Sequence, residues 1–214
     1  MQVKFLRVAD HERSIAVVTR DDGVTYHFHG GPVSVALPHD IVHYAVEDEL
    51  GIADGIWGAI AGGVVFSSMT HVSGRRPPHA AERSAELIRT YRQSLQRAEL
   101  IGGVVERVAD GRLAVRSLPE AFASQADGGP GTEAVLRAAR RLRAEATRWA
   151  ACPVGGQLAF DWPAHRRMRL EPARRTVHRD PASRSRRVRD RASRAGRPAR
   201  AGRPARAGRP ARAG

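Results

Sequence analysis

An abrupt change in composition near residue 162 limits the part of this chain that can build a hydrophobic core. Residues 1–162 carry 18 Lys and Arg against 19 Asp and Glu, whereas residues 163–214 carry 18 Arg and only three acidic residues. The second segment contains three copies of RAGRPA and has few large apolar side chains to bury. We therefore predict one folded domain over residues 1–162 and a disordered, arginine-rich tail over residues 163–214.

The arginines of the repeats allow two interpretations of the tail. Flexible cationic segments neutralise phosphates, so the first is non-specific association with nucleic acid that weakens as salt rises. The second, favoured by the perfection of the repeat, is expansion of G+C-rich DNA without a selected role. Lys4 is the only lysine beside 35 arginines, which also indicates a bacterial genome of high G+C content. The repeat arginines concerned are Arg197, Arg200, Arg203, Arg206 and Arg209.

Three segments near the N-terminus have the composition of β-strands. Residues 2–8, 14–20 and 24–29 are rich in β-branched and aromatic residues, and DDG at 21–23 is typical of a tight hairpin turn. A late segment, residues 155–163, alternates in the same way and predicts a last strand that closes the sheet begun by the first.

Helical periodicity dominates the middle of the chain. Residues 103–118 fit either the extension of a helix or a short hairpin around DGR, and the pattern does not decide between them. The predicted fold class is α+β: a small antiparallel sheet of three or four strands, packed on one face against about four helices. The predicted helices are one within residues 37–51, beginning at His39 or at Asp40 and ended by Gly51, and three more over residues 55–62, 80–98 and 132–150.

The helix predicted after residue 38 carries an unusual set of polar side chains. His39, His43 and Glu47 follow one another at four-residue spacing, and Asp40 lies beside them. At ~100° per residue these four lie along one edge of the apolar stripe. The two imidazoles are about 6 Å apart along the helix axis, which suits a shared ion, whereas His39 and Glu47 are about 12 Å apart. We predict that His39 and His43 bind a metal, assisted by Asp40 or Glu47.

A further ligand is expected from elsewhere in the chain. His27 and His29 alternate around Phe28 and share one face of a predicted strand, so they are the first candidates. His71 and His79 are predicted in loops and are weaker candidates.

Each of these residues also has a purely structural interpretation. Asp40 could be an N-cap, Glu47 a solvated helix charge, and His27 and His29 residues of the open sheet face.

Two classes of function therefore remain open. One is a protein that binds zinc or another divalent metal, with a metal-activated water as its plausible chemistry. The other is a non-catalytic binding module in which the histidine-bearing helix only supports the fold.

The segment LPHDIVHYAVEDELGIADGIWGAIAGG resembles a group of small uncharacterised bacterial proteins that carry an HDxxHYAVE helix. HDIVH is also similar to two better-known motifs. Zincin metalloproteases use HExxH, and Asp40 stands here where they have glutamate. Zinc proteins of ubiquinone biosynthesis use HDxxH followed by a glutamate, at whose position this chain has Gly55, one residue after Asp54. These resemblances imply zinc ligation by His39 and His43.

The sequence also predicts where the protein resides. The longest apolar run, residues 56–66, is about half of the ~20 residues that a membrane-spanning helix needs. The first residues lack the apolar region of a signal peptide, and Cys152 has no second cysteine with which to form a disulfide. We expect a soluble cytoplasmic protein.

Overall fold

Five antiparallel strands form the sheet of the computed structural model, which describes residues 1–9, 13–32 and 37–169. The spatial order is β4-β3-β2-β1-β5, so the last strand of the chain lies beside the first, with Phe160 opposite Val3. This arrangement confirms the predicted α+β class and the predicted late strand. The strands are β1 (Gln2–Leu6), β2 (Arg13–Thr19), β3 (Thr25–Pro32), β4 (Met69–Ser73) and β5 (Gln157–Asp161).

Strand β4 was not predicted, and it places His71 in the sheet rather than in a loop. It lies at the edge of the sheet and, among the described strands, pairs with β3 alone. Of its five residues only Met69 is buried. Because four exposed residues leave no apolar alternation, the sequence carries almost no signal for a strand at this place.

Six α-helices accompany the sheet within the described residues, against about four predicted. The single helix predicted over residues 80–98 is divided at Tyr91, whose dihedral angles (φ −102°, ψ 19°) interrupt the helix. For residues 103–118 the helix extension is the correct alternative as far as Ala109. The helices are α1 (His39–Leu50), α2 (Ile56–Gly62), α3 (Ala80–Thr90), α4 (Arg92–Ala109), α5 (Leu118–Ala121) and α6 (Thr132–Ala151).

Helix α1 packs between the sheet and three other helices. It contacts strand β3 of the sheet and the helices α2, α4 and α6. Gly51 ends it in the left-handed conformation (φ 70°), as the sequence predicts. Every residue from Asp40 to Glu47 is buried. Of the four polar residues predicted at the edge of the core, Asp40, His43 and Glu47 are therefore buried and His39 is partly exposed, because α4 and α6 cover the side that a two-layer arrangement would leave open.

The chain continues to pack against the body beyond Trp162. The N–H of Met168 donates to the carbonyl of Gly58 at 2.9 Å, and the Met168 side chain is buried in a small apolar cluster with α2 and α3. A Cβ at Gly62 would lie 2.4 Å from the Met168 carbonyl oxygen, so a glycine is required there for this backbone contact. Packing thus extends through residues 163–169, so the predicted boundary between domain and tail at residue 162 lies too early. The rest of the predicted tail lies outside the described residues.

Among the helices that the structure describes, none is both long enough and apolar enough to cross a membrane.

Candidate metal centre

Helices α1 and α4 bring three potential metal ligands to one point. His43 Nε2 lies 3.1 Å from His39 Nε2 and 3.1 Å from Glu99 Oε2, and the remaining distance, from His39 Nε2 to Glu99 Oε2, is 3.6 Å. Within the part of the chain that the structure describes, these residues form a group that could hold a metal ion. The predicted pairing of His39 with His43 is present, since α1 begins at His39 and both rings project from adjacent turns.

The three atoms form a triangle close to one face of a zinc tetrahedron. Zinc bonds of about 2.05 Å require about 3.3 Å between ligand atoms. Bonds of that length to these three atoms would enclose angles of about 98°, 98° and 123°, whose mean is near the tetrahedral value. The ligand atoms therefore need to move by only a few tenths of an ångström to bind such an ion.

A glycine in α4 makes room for the buried His43 ring. A Cβ at Gly102 would lie 2.9 Å from His43 Cε1, well inside van der Waals contact. At the next residue, Gly103, a Cβ would meet no atom within 4 Å. Of the two neighbouring glycines, Gly102 alone is required by the position of the imidazole.

Glu47 supports the site from behind and is not part of the ligand triangle. Its carboxylate accepts hydrogen bonds from the backbone N–H groups of Ile56 and Trp57, each at 2.9 Å, and so caps the first turn of α2. Glu47 Oε1 also lies 3.6 Å from His43 Nδ1, which is beyond hydrogen-bond length but close enough for a strong electrostatic interaction. Glu47 is fully buried, so it is not a solvated charge, and it lies behind His43 in an assisting position rather than among the three grouped ligand atoms.

A Cβ at Gly55 would lie 2.4 Å from the Glu47 carboxyl carbon. This glycine therefore allows the backbone at the start of α2 to approach the carboxylate closely.

Asp40 is not the N-cap of α1. The residue that precedes the first turn of α1 is Pro38, whose side chain cannot accept a hydrogen bond from the helix. The Asp40 backbone carbonyl accepts a hydrogen bond from the indole N–H of Trp57 at 3.2 Å. Asp40 is buried, and it does not belong to the group of ligand atoms around His43.

His27 and His29 lie on the other face of the sheet. Both are exposed, while Phe28 between them is buried towards the helices, and their ring centroids are 6.5 Å apart. The prediction that they complete the site is wrong, because the sheet itself separates them from α1. The predicted nucleic-acid-binding arginines, Arg197, Arg200, Arg203, Arg206 and Arg209, lie outside the described residues.

Glu99 is the ligand that sequence reasoning missed. It follows His43 by 56 positions, so no local spacing connects the two residues. A weak signal was available, since Glu99 and Gly102 are three residues apart and share one face of α4, where Gly102 is one of two adjacent glycines.

The two carboxylates strongly favour a protonated His43. Burial alone lowers the pKa of this imidazole, but interactions with Glu47 and Glu99 outweigh it and raise the pKa to about 10. His39 and His43 in turn hold the pKa of Glu99 well below its usual range. Without an ion, His43 at neutral pH is therefore an imidazolium between two carboxylates, and a metal must displace its proton.

Comparison of the chain with protein-family models, with curated proteins and with solved structures finds no match. The chemistry of the site is therefore the guide to function. Two imidazoles and one carboxylate form a ligand set that zinc uses in proteins, with a fourth position left for water or substrate.

Proposed function

We propose that the protein binds a divalent metal ion, zinc being the best fit, through His39, His43 and Glu99. The observation that carries the proposal is the triangle of Nε2, Nε2 and Oε2 atoms with sides of 3.1, 3.1 and 3.6 Å. Borderline imidazole nitrogens combined with one carboxylate favour zinc over calcium or magnesium, which prefer sites built entirely from oxygen.

The surroundings of His43 also favour a metal ligand. Histidines that bind zinc through one ring nitrogen usually direct the other towards a carboxylate, which fixes the ring and increases its basicity. Here Nε2 belongs to the triangle, while Nδ1 faces the buried Glu47 and has no hydrogen-bond partner among the described residues. The Nδ1 proton and the carboxylate would need to close by about half an ångström to form the usual hydrogen bond.

The main competing explanation is an ion pair without a metal. The imidazolium of His43 between Glu47 and Glu99 would satisfy the same three groups by charge alone. The two explanations differ in their dependence on His39, because its Nε2 would be a ligand of the metal but only a hydrogen-bond partner, at 3.1 Å, of the His43 imidazolium. Removal of His39 should therefore abolish metal binding and leave the ion pair intact.

The experiment uses the purified full-length chain. We expect one equivalent of zinc per chain, measured by elemental analysis and by competition with a chromophoric chelator. His39→Ala and Glu99→Gln should each weaken zinc binding by at least a hundredfold. The matched control is His27→Ala combined with His29→Ala, which removes two exposed histidines from the opposite side of the sheet.

Two results would refute the proposal. The first is wild-type protein that binds no zinc at stoichiometric concentration. The second is a loss of affinity in the β3 control equal to that in the α1 and α4 variants, because binding would then come from surface histidines in general.

A further inference from the structure

The three ligands of the proposed site differ greatly in their exposure to solvent. The side chain of His43 is 2% exposed, whereas that of His39 is 37% exposed and that of Glu99 is 49% exposed. The triangle thus has one buried corner, enclosed by α4 at Gly102, and two corners that water reaches. An ion at this point would meet protein on the side of His43 and solvent on the side of His39 and Glu99.

The described ligands are also too few for a closed zinc site. Structural zinc sites hold four protein ligands, whereas catalytic sites hold three and leave the fourth position to water or substrate. Among the residues that the structure describes, only three side chains contribute to this group.

Charge determines which kind of molecule would take the fourth position. One carboxylate ligand neutralises half of the charge of a divalent ion, so the ion with Glu99 retains a net positive charge. The buried carboxylate of Glu47 faces the opposite nitrogen of the His43 ring, at 3.6 Å from Nδ1, and lies on the side away from solvent. A small oxygen-donor anion that approaches from solvent would therefore reach the metal ion on the side opposite the negative charge of Glu47.

We infer that the metal ion keeps one coordination position open to solvent and binds small oxygen-donor anions there, of the carboxylate and hydroxamate class. This inference rests on the proposed function, because the ion supplies the attraction. The chain's own contribution is to hold the three ligands, His39, His43 and Glu99, on one side of the ion. Gly102 makes room for the ring of His43. His39 and Glu99 then border the entrance.

The test uses full-length protein loaded with Co²⁺, whose visible absorption reports the number and type of its ligands. Acetohydroxamate is the probe. We expect a saturable spectral change with one equivalent of probe per chain, while equilibrium dialysis shows that the Co²⁺ stays with the protein. The His27→Ala, His29→Ala control should respond in the same way, and metal-free protein should bind no probe.

The possible results separate the inference from the proposed function. If Co²⁺ binds in a four-coordinate site and its spectrum does not respond to acetohydroxamate, a protein side chain closes the site. The inference would then be wrong and the metal site would stand. If the Glu99→Gln variant takes up Co²⁺ as tightly as the wild type, the proposed ligand set itself is wrong and the inference falls with it.

Discussion

The two adjacent glycines of α4 offer a sharp test of the site. Gly102→Ala places a methyl group 2.9 Å from His43 Cε1, whereas Gly103→Ala places one in open space. Both changes replace glycine by alanine in the interior of the same helix, so both gain about 1 kcal/mol of helix stability. Any difference between the two variants therefore reports the contact with the imidazole.

The size of that difference follows from the geometry. Carbon atoms in contact prefer separations of ~3.5–4.0 Å, so the ring must retreat by roughly 0.6 Å or more. Forcing an extra methyl group into a packed core costs about 1–3 kcal/mol. We expect Gly103→Ala to raise the free energy of unfolding by up to about 1 kcal/mol. Gly102→Ala should fall below Gly103→Ala by about 1–3 kcal/mol.

Zinc binding should respond more strongly than stability. Metal–ligand distances tolerate deviations of only about 0.2 Å, which is less than the displacement forced on His43. We therefore expect Gly102→Ala to weaken zinc binding at least tenfold, and Gly103→Ala to leave it unchanged. Urea unfolding with a chelator present gives the stability of the metal-free protein, and chelator competition gives the zinc affinity. Equal stability and equal affinity in the two variants would refute the packing of His43 against Gly102.

Three further predictions concern the buried carboxylate, the proton and the tail. Glu47→Gln keeps the shape of the side chain but leaves one amide of α2 without an acceptor. It should lower the free energy of unfolding by about 1–3 kcal/mol and zinc affinity by about 10–100-fold. Glu106→Gln, the same change at a partly buried residue outside the site, is the matched control and should leave zinc affinity unchanged. Because the pKa of His43 is raised to about 10, zinc must displace one proton below that pH. Apparent affinity should then rise about tenfold per pH unit up to about pH 10 and level off above it; a pH-independent affinity, measured by chelator competition, would contradict a protonated His43. In metal-free protein the sign is opposite: the raised pKa stabilises the fold fully below the unfolded value of 6.5, and this contribution is lost as pH rises through about 10. Full-length protein should be retained on DNA-cellulose at low salt and released steeply as salt rises, and deletion of residues 170–214 should abolish retention; retention of the shortened chain would assign DNA binding to the body.

The sequence predicts the local features of this protein well. The first three strands and the helix from His39 to the left-handed Gly51 were recognised because their signals are confined to about a dozen neighbouring residues. The pairing of His39 with His43 belongs to the same class, since four-residue spacing on one helix brings the rings together wherever the helix is packed.

Features that depend on distant parts of the chain could not be predicted in this way. Glu99 reaches the site only because α4 packs against α1, and no periodicity encodes which helices become neighbours. The role of Glu47 depends on the backbone of α2 approaching through Gly55. The error about His27 and His29 has the same origin, since their alternation shows that they share a face but does not show which face the helices cover.

The two tasks of Glu47 have a consequence for how this protein can change over evolutionary time. His39 and Glu99 have partly exposed side chains, so both residues can change more readily than Glu47 once an ion is no longer needed. Glu47 also accepts hydrogen bonds from the first backbone amides of α2, so its contribution to stability would remain in a descendant that no longer binds metal. Among future homologues, a retained glutamate at position 47 beside altered residues at 39 and 99 would mark lineages in which the metal has been lost and the architecture inherited.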